Sequence, residues 1–145
     1  MRHRTSRLGR LSRIVQRWAW RIRAFGRPVT CTPSNPGSRW PSGDCDEIAE
    51  IDLTDEAIET RLGRPLLRGV QEGMGPWRAE GFRLSTGEVM ELIFYEFCEG
   101  QCYILRADHG TPIDAAIRHF LEAFDLDETA VWWRRDVQLL ADAKT

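Results

Sequence analysis

The sequence predicts an α+β fold: a small, mainly antiparallel sheet with two or three helices, preceded by a basic N-terminal arm. Three observations predict it. Two successive hairpin patterns occupy residues 78–107, a strongly amphipathic helix pattern covers residues 111–124, and every acidic residue lies after residue 43. The expected order within residues 44–145 is α-β-β-β-α-β, a three-stranded meander plus a short fourth strand, with the helices on one face.

Charge divides the 145-residue chain into two unlike parts, although its net charge is only −2. Residues 1–43 contain ten Arg and no Asp, Glu or Lys, a charge of +10. Residues 44–145 contain nine Arg, one Lys and 22 acidic residues, a charge of −12. Such asymmetry indicates a basic interaction arm or an acidic binding surface. We therefore expect residues 1–43 to be an arm and linker, and residues 44–145 to be one acidic domain.

The arm has the pattern of a basic amphipathic helix. Its apolar residues are spaced alternately three and four apart, which places them on one stripe of a helix. They are Leu8, Leu11, Val15, Trp18, Ile22 and Phe25. The residues of this helix expected to contact a partner are Arg10, Arg13, Arg17, Trp18 and Arg21. Such a helix is suited to an anionic membrane surface or to nucleic-acid phosphates.

Three other interpretations of the arm stay open. In a eukaryotic source, an Arg-rich segment without acids is typical of a transit peptide. One Lys against nineteen Arg indicates a GC-rich bacterial source, in which a start codon at Val15 or Val29 would leave the preceding residues untranslated. The arm also carries the charge needed to fold back on its own acidic domain.

A linker and a short helix are expected next. Residues 28–44 contain four Pro and two Gly among Ser and Thr, a composition typical of a linker. Thr54 is a natural N-cap, and the helix after it places Ile58 and Leu62 on one face. Gly63 is expected to end this helix.

Three strand patterns follow a glycine-rich segment, residues 69–76, that predicts a loop. The strands are expected over residues 78–84, 88–97 and 101–107, joined by compact Gly-containing connections.

The pairing of the second and third strands decides which sheet face is buried. If Cys98 faces Cys102, then Ile93 pairs with Ala107, and their face is wholly apolar and expected to lie on the core. The opposite face is mixed, with Met90, Leu92, Phe94, Glu96, Ile104 and Arg106. It is too apolar for a solvated face, so we expect either another element of the chain or a partner protein to cover it.

The last part of the domain begins with the most regular pattern in the sequence. Thr111 is expected to cap a helix with Pro112 at its first position. One apolar stripe follows: Ile113, Ala116, Ile117, Phe120, Leu121 and Phe124. Residues 130–134 predict a short strand in which Trp132 and Trp133 point to opposite faces, so at least one is available to a partner. A terminal helix is expected after it.

Candidate ligand and catalytic groups are few. Cys98 and Cys102 flank a hairpin tip and, with His109, are weak candidates for a zinc site, although ordinary free cysteines are the favoured interpretation. Asp108 and His109 precede a helix start, but no nucleophile motif accompanies them. No secretory signal or membrane-spanning segment is recognisable. We therefore expect no catalytic residues, cofactor or small-molecule substrate, and a cytoplasmic location with reduced thiols.

A small acidic α+β domain without a catalytic set resembles, in general profile, toxin-neutralising immunity proteins and small bacterial adaptors. The leading hypothesis is a non-enzymatic protein-binding module whose acidic surface binds another, basic protein. Its expected contact residues are Phe94, Glu96, Ile104, Arg106, Trp132 and Trp133. The alternatives are a peripheral membrane- or nucleic-acid-associated protein acting through the arm, and a small hydrolase or zinc-binding protein.

Overall fold

The computed structural model describes residues 28–33, 45–98 and 100–143 and confirms a mixed α+β fold with a mostly antiparallel sheet. The described strands and helices, in chain order, are β1 (Cys31–Pro33), β2 (Cys45–Ile51), α1 (Asp55–Leu62), β3 (Leu67–Gln71), β4 (Gly75–Leu84), β5 (Val89–Tyr95), β6 (Tyr103–Asp108), α2 (Ile113–Phe124), β7 (Val131–Arg134) and α3 (Arg135–Asp142). A 3-10 helix, Glu128–Ala130, precedes β7.

The sheet has seven strands within the described residues, where four were predicted. Their order is β1-β4-β5-β6-β2-β7, and β3 also pairs with β4. The long strand β4 carries two short strands on one edge. β3 lies beside its first half, with Leu67 opposite Ala79, and β1 lies beside its second half, with Pro33 opposite Phe82. The predicted three-stranded meander, β4-β5-β6, is thus the inner part of a wider sheet.

Two of the additional strands, β1 and β3, come from segments whose composition predicts a linker and a loop. β1 lies within residues 28–44, so part of the predicted linker belongs to the sheet. Residues 69–76, predicted as a loop, contain the end of β3 and the start of β4. The predicted arm residues lie outside the described residues, and the division at residue 43 stays a prediction for that part of the chain.

β2 is an interior strand despite its three acidic residues. It lies between β6 and β7, with Ile51 opposite Tyr103. A bulge between Glu47 and Ala49 interrupts the alternation, so Ile48 and Ala49 are both buried. The acids obscure the apolar period in the sequence, which is why this strand was not predicted.

Helices α1 and α2 pack on the same face of the sheet, which we call the helix face. The core there joins Phe82 of β4 and Leu92 of β5 to Ile58 of α1 and Ile117 of α2, all of them buried. The ring centroids of Phe82 and Phe124 are 5.3 Å apart. Burial of these side chains is the main favourable contribution to the fold.

The predicted caps of α1 are confirmed, and the predicted N-cap of α2 is not. Thr54 caps α1, since its hydroxyl accepts a hydrogen bond from the Ala57 amide at 3.2 Å, and Gly63 ends it with a positive φ of 72°. The prediction that Thr111 caps α2 is wrong. Pro112 is the N-cap, and the Thr111 hydroxyl instead donates to the Asp108 carbonyl at 2.6 Å, which closes the preceding turn.

The predicted register of β5 and β6 is also wrong. Ile93 lies opposite Ile104 rather than Ala107, a shift of three residues. Because side chains alternate along a strand, an odd shift exchanges the two faces of one strand relative to the other. Met90 therefore lies with Ala107 on the helix face, where both are buried.

Asp55, the first residue of α1, connects this helix to the sheet. Its Oδ1 accepts hydrogen bonds from the Tyr103 hydroxyl at 2.5 Å and from Arg78 Nε at 2.8 Å. Burial alone would raise the pKa of Asp55, but these two donors outweigh it and lower the pKa. Burial and the Asp55 carboxylate together raise the pKa of Tyr103 well above its ordinary value. The cluster fixes where α1 begins relative to β4 and β6.

A second ion pair lies at the edge of the core. Glu80 of β4 is almost completely buried, and both of its carboxylate oxygens accept from the guanidinium of Arg64, which follows α1. The backbone amide of Gly81 donates to the same carboxylate at 3.0 Å. The burial of this charge is therefore matched by three donors.

Replacing Arg64 by Met should remove the countercharge and leave Glu80 buried without it. We expect the free energy of unfolding to fall by about 3 kcal/mol, as is usual when one partner of a buried pair is lost. Urea denaturation at pH 7 measures this change. Arg61→Met, at an exposed position of α1, is the control and should change stability by less than about 0.5 kcal/mol. Equal effects of the two substitutions would contradict this account of the pair.

Candidate functional site: the open sheet face

The face of the sheet opposite α1 and α2 carries its own apolar cluster; we call it the open face. Ala79, Ile93 and Tyr95 are buried there, and Trp77 and Ile104 are half-buried against them. In the described part of the chain, this cluster consists of strand residues alone. A face of this composition without a covering helix is typical of a binding surface.

A cavity of about 540 Å³ opens on this face, between β5 and the β3–β4 hairpin. This volume lies within the range of ordinary ligand-binding clefts. Its lining combines aliphatic, aromatic and charged side chains: Val70, Gln71, Glu72, Trp77, Ala79, Glu91, Ile93, Tyr95 and Arg106.

Two aromatic residues form walls of the cavity, and the β3–β4 hairpin holds both. The Trp77 indole lies against the backbone of Gly69, where a Cβ atom would collide with the ring. The Tyr95 hydroxyl donates a hydrogen bond to Gln71 Oε1 at 3.0 Å. Both rings are therefore positioned before any partner binds, which lowers the entropy lost on binding.

Glu91 is the most unusual group of the cavity. It lies in the middle of β5 and is only 6% exposed. The guanidinium of Arg106 is shared: Nη1 donates to Glu91 at 3.3 Å and Nη2 donates to Glu47 at 3.1 Å. Arg106 Nε is buried and has no hydrogen-bond partner among the described residues. Burial raises the pKa of Glu91 to about 7, and Arg106 offsets only part of this effect.

Glu80 and Glu91 are the two buried charged residues of the described chain, and they differ in how they are neutralised. Glu80, on the helix face, accepts from both ends of one guanidinium and from a backbone amide. Glu91, on the open face, accepts one longer bond from an arginine that also serves Glu47. A buried carboxylate with so little compensation is a candidate functional group.

The structure divides the six predicted partner-contact residues between different surfaces. Phe94 packs against the core of the helix face, with Arg78 Cζ 4.0 Å from the centre of its ring. Ile104 and Arg106 lie on the open face. Glu96 is exposed in the turn after β5, beside Arg78. The predicted mixed face therefore does not exist as one surface, because it depended on the wrong register.

The two tryptophans of β7 lie at the other side of the sheet. Trp132 is 73% exposed. Trp133 is half-buried and lies opposite Glu50, which in turn lies opposite Ile104. Since directly opposite residues project to the same face, Trp133 extends the open face away from the cavity. A role for these residues in partner binding stays a prediction.

The weak zinc candidates lie apart. Cys98 and Cys102 precede β6 and His109 follows it, so the length of the strand, about 20 Å, separates them. No three side chains of metal-ligating type come together among the described residues. His109 Nδ1 lies 3.0 Å from Asp46 Oδ2 in an exposed position. Burial raises the pKa of the Cys31 and Cys102 thiols, the opposite of what a nucleophilic cysteine requires.

Sequence reasoning did not single out Trp77, Tyr95 and Glu91 as site residues. The available signal was Glu91, a single acid inside the apolar run Val-Met-Glu-Leu-Ile-Phe-Tyr of β5. With the expected register, the same position would have lain away from Arg106.

Comparison of the chain with protein-family models, with curated proteins and with solved structures gives no match. Among the described helices, none is long and apolar enough to cross a membrane.

Replacing Glu91 by Gln should change how stability depends on pH. The folded-state pKa of about 7 exceeds the ordinary value of 4.5. Between these values the folded state holds a proton that the unfolded state has lost, so stability falls as pH rises from 4.5 to 7. We expect this group to remove roughly 3 kcal/mol between pH 4.5 and pH 8. Urea unfolding across this range should show the loss in the natural chain and not in Glu91→Gln.

The control for this measurement is Glu56→Gln, an exposed position of α1. This variant should show the same dependence of the unfolding free energy on pH as the natural chain. The carboxyls of Asp55, Glu88 and Asp136 have lowered pKa values, so their contributions are lost below the pH window used here. Identical pH profiles of Glu91→Gln and the natural chain would contradict the assignment to Glu91.

Proposed function

We propose that this chain is a non-enzymatic protein-binding module whose open face binds a basic region of another protein. The observation that carries the proposal is the open face itself: no described helix lies over its apolar cluster, and Trp77 and Ile104 stay partly exposed above the buried Ile93 and Tyr95. Partly exposed aromatic and aliphatic side chains beside a cleft are typical of interaction sites, because a partner removes them from water.

The charge of the domain supports a basic partner. The described residues contain twenty acids and nine arginines, a net charge of −11. On the open face, Glu47, Glu50 and Glu72 lie around the apolar cluster, together with the buried Glu91. Opposite charge on a partner would speed association and orient it toward this face.

The aromatic residues of the open face support a protein partner. Trp77, Tyr95 and Trp133 have the residue types that contribute most to protein interfaces, since each buries a large area and loses few rotamers. Trp77 and Tyr95 are already fixed by contacts with β3. A partner that covers the partly exposed Trp77 and Trp133 removes apolar surface from water, and Trp77 loses little conformational freedom because it is already fixed.

The general profile resembles immunity proteins and small adaptors, and within that resemblance a basic nuclease toxin is one partner class that fits the charge. This remains an analogy of size, charge and fold class.

The proposal is tested by partner capture with the full chain and two charge-reversal variants. Glu50→Arg places a positive charge between Ile104 and Trp133 on the open face. We expect it to weaken binding of a basic partner at least about tenfold through like-charge repulsion. Affinity is measured by biolayer interferometry with each captured protein, at low and at physiological salt.

Glu56→Arg makes the same charge change on α1, which lies on the helix face, and serves as the control. At physiological salt it should leave the affinity within about threefold, because Glu56 lies on the other side of the sheet from the open face and exposed charges are largely screened beyond about 8 Å. Captured proteins that bind the natural chain and Glu50→Arg equally would overturn the assignment of the open face.

A further inference from the structure

We infer that the cavity of the open face is a subsite for one arginine side chain of the partner, with the guanidinium on Glu91 and the aliphatic stem along Trp77 and Tyr95. This inference rests on the proposed function and names the chemistry that the face recognises. It follows from three properties of the cavity: its charge, the geometry of Arg106 and the character of its walls.

The cavity has an excess of negative charge, which favours a cationic ligand. Glu47 and Glu91 share the single guanidinium of Arg106, so the three groups together have one negative charge in excess when Glu91 is ionised. Glu72 at the rim adds another. A second cation at Glu91 would complete the neutralisation, and it would favour the ionised carboxylate that burial now disfavours.

The geometry of Arg106 leaves the Glu91 carboxylate, which lines the cavity, with a single donor among the described residues. Arg106 reaches Glu91 through Nη1 alone, while its Nη2 is directed to Glu47 and its Nε has no partner among the described residues. Arg64, by contrast, donates two hydrogen bonds to Glu80, from Nε and Nη2. A planar guanidinium from a partner has the two parallel donors that a carboxylate accepts best.

The walls of the cavity suit the rest of an arginine side chain. The partly exposed Trp77 offers aromatic surface and the exposed Val70 offers aliphatic surface for the stem, while the buried Ile93 and Tyr95 form the floor beside the Arg106 guanidinium. A guanidinium is more weakly hydrated than an ammonium and stacks on aromatic rings, so it loses less on entering such a site than lysine does. The cavity volume of about 540 Å³ accommodates one long side chain together with flanking backbone.

The charged and titratable groups that face Glu91 are Arg106 of β6, Cys45 and Glu47 of β2, Glu72 of the β3–β4 turn and Tyr95 of β5. Because arginine binds the ionised form of Glu91, affinity should increase as pH rises from 6 to 8. By linkage, bound arginine should lower the pKa of Glu91 from about 7.

The test uses the full chain and three small probes: N-acetyl-arginine amide, the corresponding lysine amide, and the uncharged citrulline amide as an isostere of arginine. Binding is followed by ¹H–¹⁵N NMR of the Trp77 indole and by ¹³C NMR titration of the Glu91 carboxyl. We expect the arginine probe to shift both signals and to lower the pKa of Glu91. The lysine and citrulline probes should bind at least about tenfold more weakly.

Glu91→Gln should weaken arginine binding at least about tenfold, while Glu56→Gln should leave it unchanged. Equal binding of the citrulline probe, or full binding by Glu91→Gln, would overturn the subsite. Equal binding of the lysine probe would overturn the choice of a guanidinium. Since the probes need no partner, failure here together with a loss of partner binding in Glu50→Arg overturns the subsite alone and leaves the proposed function intact.

Discussion

The pairing of β5 with β6 determines which side chains of the sheet face α1 and α2 and which lie on the open face. Leu92 lies opposite Leu105, and this register directs the even-numbered residues of β5 toward α1 and α2. The odd-numbered residues, Glu91, Ile93 and Tyr95, consequently lie on the open face. A slip of one residue would bring Glu91 into the helix-face core, in place of an apolar side chain such as Leu92. The core and the candidate site are therefore set by the same backbone hydrogen bonds.

Local signals in the sequence were sufficient for the helices and for the positions of four strands, β4, β5, β6 and β7. Thr54 and Gly63 delimit α1, and the apolar stripe of α2 is buried as its period requires. The register was not predictable from the same signals, because β5 is apolar on both faces and the alternation gives no preference between them. Pairing Cys98 with Cys102 assumed a short symmetric hairpin, whereas seven residues, 96–102, separate β5 from β6. The cavity followed from that register and could not be predicted without it.

The two buried glutamates show how identical side chains acquire different roles from their neighbours. Glu80 is surrounded by donors and belongs to the packing of the helix face. Among the described residues, Glu91 shares its counter-ion, Arg106, with Glu47, so part of the cost of its burial stays uncompensated in the free protein. Natural domains tolerate such a cost where binding relieves it.

The walls of the open face explain how an uncovered apolar surface persists in a small domain. Trp77 covers Gly69, and Tyr95 is bound to Gln71, so the β3–β4 hairpin shields much of the cluster from water while leaving the cavity open. The rim acids keep the surface charged, which opposes association between copies of this acidic chain. In the proposed function, the same charge would attract a basic partner, so one arrangement of residues would favour the partner and disfavour self-association. Selectivity on this face would then arise from the acids, and affinity from the aromatic and aliphatic surface between them.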